Sequence, residues 1–262
     1  VTVFRQVVAP RDGSAWITGA SGGIGRATAL ALAAEGWTVY ATARNADALE
    51  AIASSVTGVG RIVPLPADVT DADAMRRAVA RITADGPLAL AILNAGVYTP
   101  MRAQTFRADT ARTMFDVNLG GVANGLEPLL AYMIGRGRGH IAITASVAGY
   151  RGLPDATAYS ATKAGLIAMA ESLAMDLVDL GVRISVINPG FVETEATAVN
   201  EFPMPFLMSP EQAAARIVAG LKRPGFEIAF PRRFALLLRL IGMLPNRAYI
   251  AAVRRMTGWG KR

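Results

Sequence analysis

A chain of 262 residues that is 52% hydrophobic and 18% charged can enclose one large core, so we expect a single domain over 1–262, with its core in about 12–230 and an extension over 231–262. With no cysteine and one histidine, His140, disulfides, thiolate metal sites and a histidine-built metal site are excluded, and a reducing, cytoplasmic setting is expected. The formal charge of +7 is unevenly placed: residues 222–262 hold ten basic side chains (Lys222, Arg223, Arg232, Arg233, Arg239, Arg247, Arg254, Arg255, Lys261, Arg262) against Glu227, a net of +9, while the remaining 221 residues hold 17 basic and 19 acidic ones, a net of −2.

Val1 to Gly13 contain no uninterrupted apolar run leading to a small-residue cleavage site, so an export signal is not expected there. From 14 to 190, short β-branched apolar runs alternate with alanine-rich segments, the rhythm of repeated βα units on a parallel sheet. Strands are expected near 14–18, 37–42, 61–66, 88–93, 139–144, 183–188 and 226–230, and helices near 23–35, 46–55, 71–84, 108–134, 157–180 and 210–221.

The first strand runs into Gly19-Ala20-Ser21-Gly22-Gly23-Ile24-Gly25 and then the helical segment Arg26 to Glu35. Glycines there allow a tight turn and close approach of a diphosphate to the amides of a helix N-terminus. The spacing Gly19-x-x-x-Gly23-x-Gly25 departs from G-x-G-x-x-G, and a purely structural turn is the competing reading. After the second strand stands Ala43-Arg44-Asn45. A carboxylate there would bind ribose hydroxyls and repel a 2′-phosphate; Arg44 instead offers a planar, permanently charged donor for phosphate, unless it is simply a solvated loop residue. Asp68, just before the third helix, is a candidate cap for a helix starting near Asp71. His140 leads into the fifth apolar run and reads as a structural strand-end residue.

Ser146 ends that run, where a hydroxyl can polarise a substrate oxygen or merely cap the strand end; Ser160 competes with it. Tyr159 and Lys163 share one face if their segment is helical, and a neighbouring ammonium is expected to lower the phenol pKa. Asn118 stands inside an expected helix, where a local hydrogen-bonding role is the plain reading. With one histidine and no G-x-S-x-G elbow, a Ser-His-Asp hydrolase is not expected. Ser209-Pro210-Glu211-Gln212 has the N-cap, first-turn proline and capping-box glutamine that begin a helix. Before it, Phe191 to Met208 shows no clean period and reads as a mobile apolar flap carrying Phe202, Pro203, Met204, Pro205, Phe206, Leu207 and Met208.

In family order, Thr18-Gly19-Ala20-Ser21-Gly22-Gly23-Ile24-Gly25, Asp68-Val69, Asn94-Ala95-Gly96, Asn118, Ser146, Tyr159-x-x-x-Lys163 and Pro189-Gly190 resemble the elements of short-chain dehydrogenases/reductases, over about 12–195. The resemblance implies an α/β, Rossmann-type doubly wound parallel seven-stranded sheet of order 3-2-1-4-5-6-7, helices on both faces, and a site at the carboxyl ends of the strands. It implies a catalytic tetrad of Asn118, Ser146, Tyr159 and Lys163. In that tetrad Tyr159 transfers the proton, Lys163 also binds the nicotinamide ribose, and Asn118 holds a water near Lys163. It implies cofactor contacts from Gly19, Ser21, Gly23, Ile24, Gly25, Arg44, Asn45, Asp68, Val69, Asn94, Ala95, Gly96, Pro189, Gly190, Val192 and Thr194. Arg44, with Ser21 and Asn45 as helpers, points to NADP(H) over NAD(H); Leu93 departs from a second Asn often found there, and Gly22 from a basic residue in the glycine loop. The expected activity is NADP(H)-dependent hydride transfer between nicotinamide and a small-molecule carbonyl or alcohol, partly apolar, by a homodimer or homotetramer. An NADP(H)-binding regulatory or membrane-associated protein with little turnover is the alternative, against which the complete tetrad speaks.

Past about residue 230 the resemblance fades. Phe234 to Leu244 and Tyr249 to Met256 are apolar blocks flanked by arginine, with Trp259 near the end. Two short helices fit, either lying in a membrane interface or covering the substrate cleft or an oligomer contact with arginines turned outward. Arg239, Pro245 and Arg247 interrupt the segment, so a spanning helix, which needs about 18 uncharged apolar residues, is not expected. The tail's charge is also the one feature favouring nucleic acid, and without a basic stripe interleaved with aromatics no such partner is expected.

Overall fold

The computed structural model describes residues 7–199 and 204–258. Its strands are β1 (Ser14–Thr18), β2 (Thr38–Thr42), β3 (Arg61–Pro64), β4 (Leu88–Leu93), β5 (Gly139–Thr144), β6 (Val182–Pro189) and β7 (Glu227–Phe230). They form one parallel sheet in the order β3-β2-β1-β4-β5-β6-β7. The helices are α1 (Gly23–Ala34), α2 (Ala46–Ser54), α3 (Ala72–Asp85), α4 (Ala108–Phe115), α5 (Gly121–Arg136), α6 (Thr157–Leu177), α7 (Glu195–Ala198), α8 (Pro210–Leu221), α9 (Arg232–Gly242) and α10 (Asn246–Thr257).

The two-residue period of a strand sends alternate side chains to opposite faces. Ala15 and Ile17 of β1 join Leu32 of α1, Leu49 of α2 and Ile217 of α8 in one core. Trp16, between them, joins Met75 of α3, Leu126 of α5 and Leu166 of α6 in the other. Central strands covered on both faces must be apolar at every position, and β4, β5 and β6 are buried throughout. The parallel sheet expected from the βα rhythm, and the doubly wound order that the resemblance implies, are the ones observed.

Several boundaries differ for physical reasons. The expected helix over 108–134 is interrupted by a π turn, Asp116–Gly120, between α4 and α5. Such a turn inserts an extra residue and is frequent near functional sites; here it contains the buried Asn118. The helix expected over 157–180 ends in a 3-10 turn at Val178–Leu180 before Gly181 takes a left-handed φ of 70°. Asp71, not Asp68, caps α3 by accepting the Ala74 N–H at 2.9 Å. Asp68 is drawn away by Thr70, whose N–H and hydroxyl donate to it at 2.9 and 2.8 Å. The capping box at α8 forms as expected, Gln212 N–H to Ser209 Oγ and Ser209 N–H to Gln212 Oε1. The apolar flap contains α7, and Val192 bridges to Met208; Phe202 and Pro203, like Trp259, Lys261 and Arg262, lie outside the described residues.

His140, the second residue of β5, is fully buried with Nε2 2.8 Å from Ser185 Oγ. It belongs to the sheet and not to the cleft. Burial, aided by the Arg183 guanidinium, drives its pKa well below the ordinary imidazole value. Below about pH 6.5 the unfolded chain therefore binds a proton that the native state refuses, and stability falls as pH falls. His140→Gln is expected to flatten the decline in thermal midpoint below about pH 6.5, removing up to about 1.4 kcal/mol per pH unit; parallel midpoint–pH curves for the two proteins would refute this.

Candidate active site

The carboxyl ends of β1 and β4 are pinned together before any ligand is considered. Thr18 Oγ1 accepts the N–H groups of Asn94 and Ala95 at 3.0 and 3.1 Å, and Asn94 Nδ2 donates to the Thr18 and Gly19 carbonyls at 3.1 and 3.4 Å. Gly19 adopts φ +69°, and a Cβ on it would stand 2.7 Å from Ala95 Cα. On Gly25 a Cβ would meet the Gly19 carbonyl oxygen at 2.1 Å. Both positions therefore require glycine, and the N-terminal turn of α1 presents its amides to a cleft of about 1190 Å³. An open, glycine-lined helix N-terminus fits a diphosphate. This cleft is bordered by every residue expected at the nucleotide and reacting ends except Asn118.

Some of these residues have work the sequence did not disclose. The Asn94 side chain holds the glycine turn to β4. Asn45 is the N-cap of α2, accepting the Ala48 N–H at 3.0 Å, although it also borders the cleft beside Arg44. Asn118, expected at a water near Lys163, has its side chain bonded within the protein. Its Oδ1 accepts the Val97 N–H at 2.8 Å, and its Nδ2 donates to the Val97 carbonyl and to Thr162 Oγ1 at 3.0 and 3.1 Å. It is a positioning residue that fastens the loop after β4 to α6.

At the reacting end, the four-residue spacing on α6 brings Lys163 Nζ to 5.5 Å from the Tyr159 ring centroid. Lys163 Nζ donates to the Thr144 carbonyl at 2.9 Å. Ser146 Oγ accepts the Ala148 N–H at 3.1 Å and donates to the Pro189 carbonyl at 3.4 Å while bordering the same cleft as Tyr159, so capping and site roles coincide. Ser160 turns away to the Leu153 N–H and does not border the cleft. The expected lowering of the phenol pKa is not observed. Burial pushes Tyr159 up to about 12 against the lowering influence of the nearby Ser146 hydroxyl, and burial pulls Lys163 down to about 8. Desolvation penalises both charged forms and sets the direction of both shifts. No motif marks Tyr98, which packs edge-on against Tyr159 with ring centroids 4.9 Å apart and borders the cleft; long-range contacts place its loop here, Asn118 with Val97, and Met101 with Asp155 and Thr157.

The tail closes the far side. Phe234, Leu238 and Ile241 of α9, with Val253 and Met256 of α10, line the cleft, as expected of segments covering a substrate site. Two arginines hold them. Arg151 Nη1 donates to the Gly242 and Leu244 carbonyls at 2.6 and 2.7 Å and its guanidinium lies 4.1 Å from the Tyr249 ring centroid. Glu227 of β7 joins Arg239 of α9 to Tyr150 and Asn188.

A parallel sheet whose first turn is an open, glycine-lined helix N-terminus, facing Ser146, Tyr159 and Lys163 across one cleft, defines the architecture of a nucleotide-dependent α/β oxidoreductase. Residues 14–202 match the family model described as short chain dehydrogenase. The chain is 41% identical over 245 residues to an uncharacterized oxidoreductase of Myxococcus xanthus, covering 93% of this chain and 97% of that protein. It is 32% identical over 214 residues to the 3-oxoacyl-(acyl-carrier-protein) reductase FabG of Thermotoga maritima, covering 77% and 87%. A short chain dehydrogenase from Burkholderia cenocepacia J2315, solved in complex with NADP, superposes with a TM-score of 0.80 at 25% identity, over 94% of this chain and 99% of that one. The chain belongs to the short-chain dehydrogenase/reductase family, oxidoreductases acting on CH–OH and C=O groups. Among the described residues no helix is long and apolar enough to cross a membrane.

Proposed function

We propose that this chain is an NADP(H)-dependent reductase of ketones or aldehydes, running in reverse as an alcohol dehydrogenase, on a partly apolar small molecule. The observation that carries this reading is the placement of Tyr159, Ser146 and Lys163 on the same cleft as the glycine turn. When bound, the dinucleotide supplies a hydride to the carbonyl carbon. A phenol with a pKa near 12 keeps its proton throughout the neutral range, so Tyr159 is held in the acid form that reduction needs and delivers that proton to the substrate oxygen. The Ser146 hydroxyl donates to the same oxygen as negative charge develops. Lys163, steadied by Thr144, binds the nicotinamide ribose. Pro189, Gly190, Val192 and Thr194 receive the nicotinamide, Asp68 and Val69 the adenine, and Gly19, Ser21, Gly23, Ile24 and Gly25 the diphosphate, with Asn94, Ala95 and Gly96 forming the floor. The apolar wall of Phe234, Leu238 and Ile241 favours a partly apolar substrate and excludes water from the transfer. A panel of carbonyl compounds followed by NADPH absorbance tests the activity; absence of turnover across aliphatic, cyclic and acyl ketones would overturn it.

For the cofactor, Ala43 supplies no carboxylate and Arg44 borders the cleft; the NADP-bound relative agrees in kind. A hydrogen bond to a charged group contributes about 1.5–3 kcal/mol, so Arg44→Asp is expected to raise KM for NADPH roughly 10–100-fold and to reverse the preference toward NADH. An unchanged ratio of kcat/KM for the two cofactors would reject Arg44 as the selector. We also propose a homodimer or homotetramer through α5 and α6, because Ala161, Ala164, Ala168 and Met175 lie exposed along one face of α6, allowing close helix approach.

A further inference from the structure

The helix α9 is apolar on two opposite sides. Its inner stripe, Phe234, Leu238 and Ile241, walls the cleft. Its outer stripe, Leu236, Leu237, Leu240, Met243 and Leu244, recurs at helical spacing and faces solvent, with Leu236 at 58%, Leu240 at 51% and Met243 at 74% exposure. The outer leucines lie on the side away from the core, which an amphipathic helix ordinarily leaves polar, and contiguous exposed apolar surface rimmed by polar groups marks an interaction site.

The rim identifies the occupant. From 228 to 262 the sequence contains no acidic residue, and Glu227 is engaged by Arg239, Tyr150 and Asn188. Arg232, Arg233 and Arg247 are exposed on the hairpin, and among the described residues they form no ion pair with an acid. A second copy seated on this face by a two-fold axis would bring these arginines against the same basic surface, whereas an anionic bilayer neutralises them while accepting the leucines. We propose that the outer face of α9, with the adjoining start of α10, docks on an anionic phospholipid surface as an interfacial amphipathic helix. Because the inner face of the same helix walls the cleft, docking holds the cleft beside the lipid. Docking does not depend on turnover, so its failure and that of the reductase reading are separable.

The test is sedimentation of the full-length protein with phosphatidylcholine vesicles and with vesicles containing phosphatidylglycerol. The wild type is expected to sediment with the anionic vesicles at low salt and to be released by high salt. Leu240→Ser with Met243→Ser, and separately Arg232→Glu with Arg233→Glu, are each expected to weaken binding at least about tenfold. These positions are exposed and lie outside the cleft, so the thermal midpoint and NADPH binding are expected to stay unchanged. Wild-type protein that stays in the supernatant with anionic vesicles overturns the proposal, as does binding unaltered in both double variants. A wild-type dimer in sedimentation velocity that Leu240→Ser with Met243→Ser converts to monomer, without vesicle binding in either form, overturns it in favour of a second copy.

Discussion

Replacing Tyr159 by Phe is expected to lower kcat for carbonyl reduction by about 10²–10⁴-fold, the range associated with a positioned general acid, and to leave NADPH binding within about twofold, a change too small to signal a lost contact. The substitution removes one hydroxyl and keeps the ring, so the edge-on contact with Tyr98 at 4.9 Å and the packing of α6 survive. What is lost is the proton delivered to the substrate oxygen. Ser146→Ala should also impair turnover, but it leaves the acid in place, so Tyr159→Phe with Ser146→Ala is expected to be little worse than Tyr159→Phe alone, as for residues acting as a unit. The measurement is initial rate by NADPH absorbance on the best compound of a carbonyl panel, with cofactor affinity from fluorescence titration. Turnover within about tenfold of wild type would remove Tyr159 from the proton-transfer role.

Much of this arrangement was legible because local rules and the global fold agree. The β-branched runs set the strands, the capping box set the start of α8, and Gly19 and Gly25 stand where an added Cβ would come within 2.7 and 2.1 Å of neighbouring backbone. The four-residue spacing of Tyr159 and Lys163 needed only a helix to place them together. What escaped depended on nonlocal competition. The π turn at Asp116–Gly120 contains Asn118, whose side chain bonds across the molecule to Val97 and Thr162, and no pattern in its own segment discloses those partners. Asp68 and Asp71 are chemically equivalent cap candidates until Thr70 claims the first. The sign of the phenol shift was misread because sequence shows the neighbouring ammonium but not the burial of both groups. The charge map of the tail was visible throughout, yet only the coordinates separate the leucines that wall the cleft from those that face outward.

Lys163 illustrates how such burial costs stability for function. Its pKa is pulled from the ordinary lysine value to about 8 by burial, so the native state binds this proton less tightly than the unfolded chain does. Between about pH 8 and about pH 10.4 the unfolded state holds more protons, and stability rises with pH; below about pH 8 the whole penalty, about 3 kcal/mol, is present. Lys163→Met fills a similar volume without a charge. The Thr144 carbonyl loses its donor, a cost of about 1 kcal/mol, leaving a net gain of about 2 kcal/mol at neutral pH. For a protein of this size that corresponds to a thermal midpoint higher by roughly 4–8 °C, with the advantage shrinking as pH rises through 8 toward about 10.4. The same variant is expected to lose at least about 10²-fold in kcat/KM, because neither ribose binding nor proton transfer at Tyr159 keeps its cation. Calorimetry across pH and steady-state rates on one preparation measure both effects. A variant less stable than wild type at neutral pH would show that the ammonium is a net structural asset, whereas higher stability with activity lost is what a charge kept in place for catalysis requires.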